Sequence, residues 1–440
     1  MPEIKIQFTD KEITPWGGMI LLKNMLERIN FKQVIKGCPA LPERGSNRSY
    51  KVETILEAFI VSVWCGANRF LHTELIRQDN PLSRIFNWVR TPGNDTYKRF
   101  FRKFNQARNQ AVFGYFFKWF FDQLVFDNYT LDFDSTIMTR YGEQQGARKG
   151  YNPKKPGRKS QHPLMAFVAD CNMVANLWLR SGDAHTAHNF EGFLEDTLER
   201  MGNKKVGLMR LDSGFYDKNV FEYLENKPFQ YIVAARFYEP IQRTIAQQKT
   251  WLSLDEGVDI AETYYRSPSW DKPRRMVMIR QEIFHRPKAT GKQLCLFQDE
   301  WYYRKYRYSA YITNLALPPS EVWRLYRQRA TAENRIKELK YDFGAESFNM
   351  NDFWATEAVL NFVMLAYNLM SLFRQYVSNS GVQHRLSTLR FNTFAIGAYF
   401  TKQGNDIILK LSLALKRREW FTGIWNTSRE FSMPFVFSNA

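Results

Sequence analysis

The stretch 128–235 constrains this chain more than any other, because strand-like and helix-like periods follow one another along it in a definite order. Segments 129–135, 164–169 and 175–180 are short apolar or alternating runs that read as strands. A helical pattern follows at 190–201, then a buried strand at 206–211, a helix at 218–225 and a last strand at 230–235. Three strands, then helix, strand, helix, strand is an α/β layout in which helices cover the faces of a sheet. Such sheets place their sites beyond the carboxyl ends of strands. Two aspartates stand at such ends: Asp134 in Asp132-Phe133-Asp134-Ser135-Thr136, and Asp212 in Leu211-Asp212-Ser213-Gly214.

The flanks differ in character. Residues 1–125 read as mostly helical. Residues 236–314 turn β-rich, with polar-alternating runs at 274–280 and 302–312 and breakers at Pro268 and Pro287. Helical patterns return at 321–341, 353–376 and 407–416. With 440 residues, 44% of them apolar and 16% aromatic, the chain can bury a large core, which excludes a disordered tail protein. The longest apolar run, 358–373, contains Asn361 and Asn368 and falls short of the roughly 20 residues that span a bilayer. It reads as a buried helix, and no membrane partner is expected. The N-terminus lacks the basic-then-apolar layout of a secretory signal. Cys38, Cys65, Cys171 and Cys295 lie far apart with no CxxC pair, which argues against a disulfide framework or zinc cluster and for a reducing compartment.

The net charge of +18 calls for a polyanion, nucleic acid first. Two segments concentrate it. Residues 84–108 carry seven basic side chains against Asp95 alone. Pro92 and Gly93 make a turn, Asn94 or Asp95 can cap, and the helix that follows presents Lys98, Arg99 and Arg102, like the second half of a helix-turn-helix. The same segment also describes a solvated amphipathic helix docked through Phe100, Phe101 and Phe104. Residues 140–159 carry seven basic side chains against Glu143. Emerging beside Asp134, their Arg148, Lys149, Lys154, Lys155, Arg158 and Lys159 are placed to grip backbone phosphates, which positions a duplex without reading it. A solvated basic hairpin is the plainer alternative.

A third acidic residue, Glu333, sits in a helical pattern. On one continuous helix, Tyr326, Arg329, Glu333 and Lys340 share a stripe about 60° wide with Lys337 beside it, while Leu325, Ala332, Ile336 and Leu339 form an apolar flank. Glu338 falls off the stripe. A surface helix laced with i,i+4 ion pairs gives the same pattern. Two strand-end aspartates and a helix glutamate can hold two Mg²⁺ ions, with Mn²⁺ as a substitute, since Mg²⁺ takes one or two carboxylates and completes its octahedron with water and phosphate. Such a pair activates a water or 3′-OH against a phosphodiester. Asp132 shares a face with Asp134 by the two-residue period of a strand and stays as its neighbour. His185 and His188, three apart, invite a metal reading, but no cysteine partners them and histidines so placed more often cap or pack. His162, beside Pro163, reads as packing. Trp251, Trp270 and Trp301 can stack on an extruded base or pack a hairpin.

Tyr326-x₂-Arg329-x₃-Glu333-x₆-Lys340 fits without a gap the Tyr-Arg-Glu-Lys signature of a large group of bacterial insertion-sequence transposases. Asp134 and Asp212 stand where those enzymes carry their aspartates. The run from Gly150 to Leu164 and Arg180-Ser-Gly-Asp-Ala-His185 resemble insertion sequence family 1380, over about residues 50–430. The resemblance implies an RNase H-like catalytic core whose Asp134, Asp212 and Glu333 bind the metal ions, interrupted by a β-rich insertion. Its family pattern favours Asp134 over Asp132. It implies Tyr326, Arg329, Lys337 and Lys340 around the DNA backbone, recognition of terminal inverted repeats, cut-and-paste cleavage and strand transfer into target DNA, a homodimer on DNA, and a bacterial, cytoplasmic, nucleoid-associated setting. The expected division is a helical DNA-binding region at 1–125, core at 126–235 and 315–376, the insertion at 236–314 and a helical C-terminal region at 377–440. A non-catalytic DNA-binding regulator, or a nuclease that cuts without joining, would share much of this sequence.

Overall fold

The computed structural model describes residues 4–126, 128–297, 301–378 and 382–436. It divides into two compact units, one gathering segments 1–123, 142–145 and 336–435, the other 124–141 and 146–335.

The first unit is built on the apolar helix Phe353–Leu372, which continues as a π-turn over Phe373–Val377. By length and composition this stretch could cross a membrane, yet it lies buried inside the unit. Phe362 packs edge-on against Phe113 at 5.0 Å and Phe116 at 5.8 Å from the helix Gln106–Asp122, and the Trp64 indole donates to the Ala366 carbonyl at 3.0 Å. The basic segment forms a helix at Asn94–Phe101. Its cap comes from a distance: Glu74 Oε1 accepts from the Asn94 backbone N–H at 2.6 Å, and neither Asn94 nor Asp95 caps. Phe100, Phe101 and Phe104 are buried, Lys98 is half-buried, and Arg99 and Arg102 are exposed, Arg102 lying 3.9 Å from Asp352.

The expected helix at 407–416 is a strand instead. Ala398–Gln403 and Asp406–Leu411 form a hairpin closed by Gly404 and Asn405, with Gly404 at φ +58°. A two-residue Gly-Asn turn between runs that hold Tyr399, Phe400 and Thr401 on one side and Ile407 and Ile408 on the other is a hairpin signal that outweighs the helical propensity of Leu and Lys. The C-terminal helix starts only at Leu415 and runs to Glu430.

The second unit holds one large mixed sheet. Its strands are β1 (Tyr129–Ser135), β5 (Leu164–Val168), β6 (Met173–Trp178), β7 (Val206–Leu211), β8 (Tyr231–Ala234), β9 (Leu252–Asp255), β10 (Val258–Tyr265), β11 (Arg274–Glu282) and β12 (Tyr306–Thr313). The short β2 (Met138–Thr139), β3 (Arg148–Lys149) and β4 (Lys159–Gln161) form a separate small sheet in the order β2-β4-β3. The spatial order of the large sheet is β9-β10-β11-β12-β8-β7-β1-β5-β6. β1, β7 and β8 run parallel, and every other neighbouring pair is antiparallel. The segment 236–314 thus supplies four strands that continue the same sheet.

Helices cover both faces. α1 (Phe190–Met201) buries Phe190, Phe193, Leu194, Thr197 and Met201, a helical repeat that presents two rings edge-on to Phe133 of β1. α2 (Lys218–Asn226) follows β7. α3 (Pro319–Arg327) lays Val322 and Trp323 into a core of Ile232, Val258, Ile260, Val277, Ile279 and Tyr311. α4 (Ala330–Tyr341) comes next, after a break at Gln328 and Arg329. The continuous helix expected over 321–341 is therefore two helices, and the angular stripe drawn on one axis does not carry across the break.

Candidate active site

β1 and β7 are parallel neighbours whose register pairs Asp132 with Arg210 and Phe133 with Leu211. Continuing each strand brings Asp134 and Asp212 to the same level at adjacent carboxyl ends, about 4.8 Å apart in strand spacing. Asp134 is buried. One of its oxygens accepts the Ser135 backbone N–H at 2.8 Å, and the other pairs with Arg329 at 3.1 Å. Asp212 is half-buried and heads the turn Ser213–Phe215, its Oδ1 accepting the Gly214 N–H at 2.9 Å. Glu333, in the first turn of α4, is exposed and has no hydrogen bond or ion pair among the described residues. Asp132 is fully buried and held by Arg210 through two hydrogen bonds, of 2.6 and 2.9 Å, so its carboxylate is taken up inside the sheet's core.

Electrostatics tie the three outer carboxylates together. Burial pushes the Asp134 carboxyl up to about 6; Arg329 and the Ser135 N–H pull it down, while Asp212 and Glu333 raise it further. Arg329 is itself buried. Burial works against its charge, but Asp134, Tyr326, Asp212 and Asp132 outweigh that, and its pKa stands above the ordinary guanidinium value. Besides Asp134 it donates to the Phe133 carbonyl at 2.8 Å. Tyr326 donates to the Leu211 carbonyl at 3.3 Å and lies on the Tyr311 ring at 4.4 Å; burial raises its phenol. Two of the four side chains expected around the DNA backbone, Tyr326 and Arg329, are thus tied to strand ends beside the aspartates. Lys337 is exposed and Lys340 half-buried. Glu338, the off-stripe glutamate, is buried against Arg374 and accepts the Leu386 N–H, a structural role in the first unit.

The basic loop folds as the small sheet. Arg148, Lys149, Lys154, Lys155 and Arg158 are exposed on it, Lys159 is half-buried, and Arg140 is drawn inside by Gln161. Arg148 lies 3.5 Å from Asp183, and Lys155 meets the Tyr141 hydroxyl. Gly182 is required here: a Cβ would stand 2.1 Å from the Ser160 carbonyl oxygen and 2.4 Å from that of Arg148.

Arg180 stands out in the sequence only as part of a motif. The structure makes it a clamp: buried, it donates to the carbonyls of His162, His185, Thr186 and His188 at 3.0–3.2 Å. That fixes the loop whose Thr186 hydroxyl lies 3.3 Å from Ser135, next to Asp134. His185 and His188 are exposed on this loop, and His162 is buried against Ser160. Among the described residues no group of three or more His, Cys, Asp or Glu closes into a ready-made metal site. Trp270 is buried among Tyr216, Phe221 and Tyr265, Trp251 is half-buried under Arg280, and Trp301 is exposed. The four cysteines are free thiols.

The second unit thus carries two strand-end carboxylates that repel one another and a small sheet of exposed lysines and arginines. The chain belongs to the transposase DDE domain family, group 1, whose model matches residues 1–430. No curated protein matches it. Among solved structures, the cryo-EM structure of a piggyBac transposase synaptic complex with hairpin DNA aligns over 87% of this chain and 81% of that one, at 10% identity and a TM-score of 0.47.

Proposed function

We propose that this chain is a cut-and-paste DNA transposase with an RNase H-like core, in which Asp134, Asp212 and Glu333 act at the scissile phosphodiester. The order β6-β5-β1-β7-β8, with β5 alone reversed among them, supports the RNase H-like reading. The observation that carries the function is the register of β1 on β7, which ends two aspartates side by side, together with the influence of Glu333 on Asp134. All-oxygen, hard donors of this kind fit Mg²⁺, or Mn²⁺ in its place, and two such ions bound there would supply Lewis-acid stabilisation of the attacking and leaving oxygens. Asp134 and Asp212 are the fixed donors, and Glu333, exposed in the first turn of α4, would complete the set from the helix.

Water attacks the transposon-end phosphodiester first, and the freed 3′-OH then attacks target DNA. The Arg148–Arg158 hairpin grips backbone phosphates near the cut. Lys98, Arg99 and Arg102 in the N-terminal helical region hold the terminal inverted repeat, and Lys337 and Lys340 after Glu333 hold backbone phosphates around the nick. The insertion-sequence motifs support family 1380, a homodimer pairing two ends, and work at the bacterial nucleoid.

The test is a plasmid carrying the gene with several hundred flanking base pairs, incubated with the protein in Mg²⁺ or in chelator, alongside Glu333→Gln. Metal-dependent double-strand breaks at two flanking repeats, lost in the variant, are expected, followed by joined product. Cutting without joining would make it a nuclease, and binding without cutting a regulator.

A further inference from the structure

A second, buried layer of charge lies one rung in from the two aspartates and is joined by Arg335 from the helix that carries Glu333. Asp132, Arg210 and Arg335 are 0%, 2% and 5% exposed. Each stands two residues from one of the proposed catalytic carboxylates: Asp132 before Asp134, Arg210 before Asp212, Arg335 after Glu333. On a strand, residues two apart share a face, so Asp132 and Arg210 sit one rung below the aspartates, roughly 7 Å down the strand. On a helix, residues two apart point to nearly opposite sides. Arg335 accordingly faces the sheet while Glu333 faces out.

The bonds of this layer run to every element that carries the site. Arg210 holds Asp132 across the β1–β7 pair with two teeth of its fork. Its third nitrogen donates to the Leu325 carbonyl at 2.6 Å and to Gln328 Oε1 at 3.3 Å, where α3 breaks off. Arg335 lies 3.8 Å from Asp132 and donates to Asn172 Oδ1 at 2.8 Å, Thr331 Oγ1 at 3.0 Å and the Ala169 carbonyl at 3.3 Å. Stability alone explains such a layer poorly, because apolar side chains of the same volume commonly match or exceed a buried ion pair. Planar, multidentate geometry is what the guanidinium supplies and a lysine cannot.

We infer that the Asp132–Arg210–Arg335 layer positions the two aspartates and Glu333 relative to one another. These are positioning residues, which touch neither substrate nor metal, and the inference rests on the proposed role of the three carboxylates. Full-length wild type is compared with Arg210→Lys, with Arg335→Gln and with the apolar pair Asp132→Leu/Arg210→Met. Four quantities are read: thermal unfolding, binding of the flanking-repeat DNA, Mn²⁺ affinity from the resonance of free Mn²⁺, and single-turnover cleavage. The expected result is unchanged DNA affinity with Mn²⁺ affinity and cleavage reduced about 10- to 100-fold, the range for residues that orient metal ligands. Arg210→Lys should fall between wild type and the apolar pair. If the apolar pair does not fold, Arg335→Gln, which leaves the Asp132–Arg210 pair intact, carries the comparison. A folded variant with wild-type Mn²⁺ affinity and cleavage rate overturns the inference. Wild type that binds Mn²⁺ but does not cut overturns the transposase reading, while the variants' Mn²⁺ affinities still decide the layer. Wild type that does neither overturns both.

Discussion

The carboxyl of Asp134 makes a sharp prediction for metal-free protein. In the folded chain it titrates at about 6, against 3.8 for an unperturbed aspartate. The native state therefore holds a proton that the unfolded state has already released between those values, and stability falls as pH rises through that window. Its favourable contribution is complete below pH 4 and lost as pH passes 6. The distance between 3.8 and about 6 corresponds to about 3 kcal/mol. Asp134→Asn mimics the protonated side chain at every pH, although it also weakens the partner of buried Arg329. The Arg329 attraction is already contained in the carboxyl's position near 6, and any offset left at low pH does not vary with pH, so the change in the difference between the two chains isolates the titration. Denaturant unfolding in chelator from pH 3.5 to 7.5 should show this difference moving in the variant's favour by about 3 kcal/mol, mostly between pH 4 and 6. A flat difference, or one that moves in the wild type's favour, would mean that the Arg329 ion pair outweighs burial and that burial does not raise this carboxyl.

Other expectations follow from the same geometry. Asp212→Asn should bind end DNA as wild type does in a mobility-shift assay and yield no cleavage product. Replacing Lys154, Lys155 and Arg158 with alanine should weaken DNA binding and lower the slope of log affinity against log salt by about 0.9 for each phosphate no longer neutralised, read from a salt titration. Glu338→Ala strands the buried Arg374 and frees the Leu386 N–H, which should cost about 3–5 kcal/mol in a melting experiment. Gly182→Ala forces a Cβ into two carbonyl oxygens and should open the basic hairpin to protease well before the rest of the chain.

The α/β core was legible because each of its strands is short, apolar or alternating, and bounded by turn residues, a pattern too short for a helix. Asp134 and Asp212 were legible as strand-end carboxylates for the same reason. Asp132 could be told from Asp134 only by resemblance, since a two-residue period puts both on one face; the structure separates them by giving Asp132 to Arg210. A charge inside the apolar run Val206–Leu211 was the available signal, as a buried arginine demands a partner. The break at Gln328 and Arg329 was not legible, because neither residue breaks a helix by propensity; hydrogen bonds to strand ends on other segments impose it. The hairpin at 398–411 was missed although Gly404-Asn405 announced it, because a run of Ile, Leu and Lys fits either period. The remote cap of Asn94 by Glu74 lies twenty residues away and leaves no local trace.

The break between α3 and α4 changes what the spacing of the signature measures. Tyr326 is fastened to the carbonyl of Leu211 and Arg329 to that of Phe133, so the two side chains span the gap between neighbouring strand ends. Their separation along the chain works as a ruler laid across the sheet, cut to the distance between β7 and β1. One residue more or less between them would unfasten an end, whatever the helical phase. Past Arg329 the chain begins a fresh helix whose bearing is set from within by Arg335. The signature is two measurements in series, one in the plane of the sheet and one rising from it.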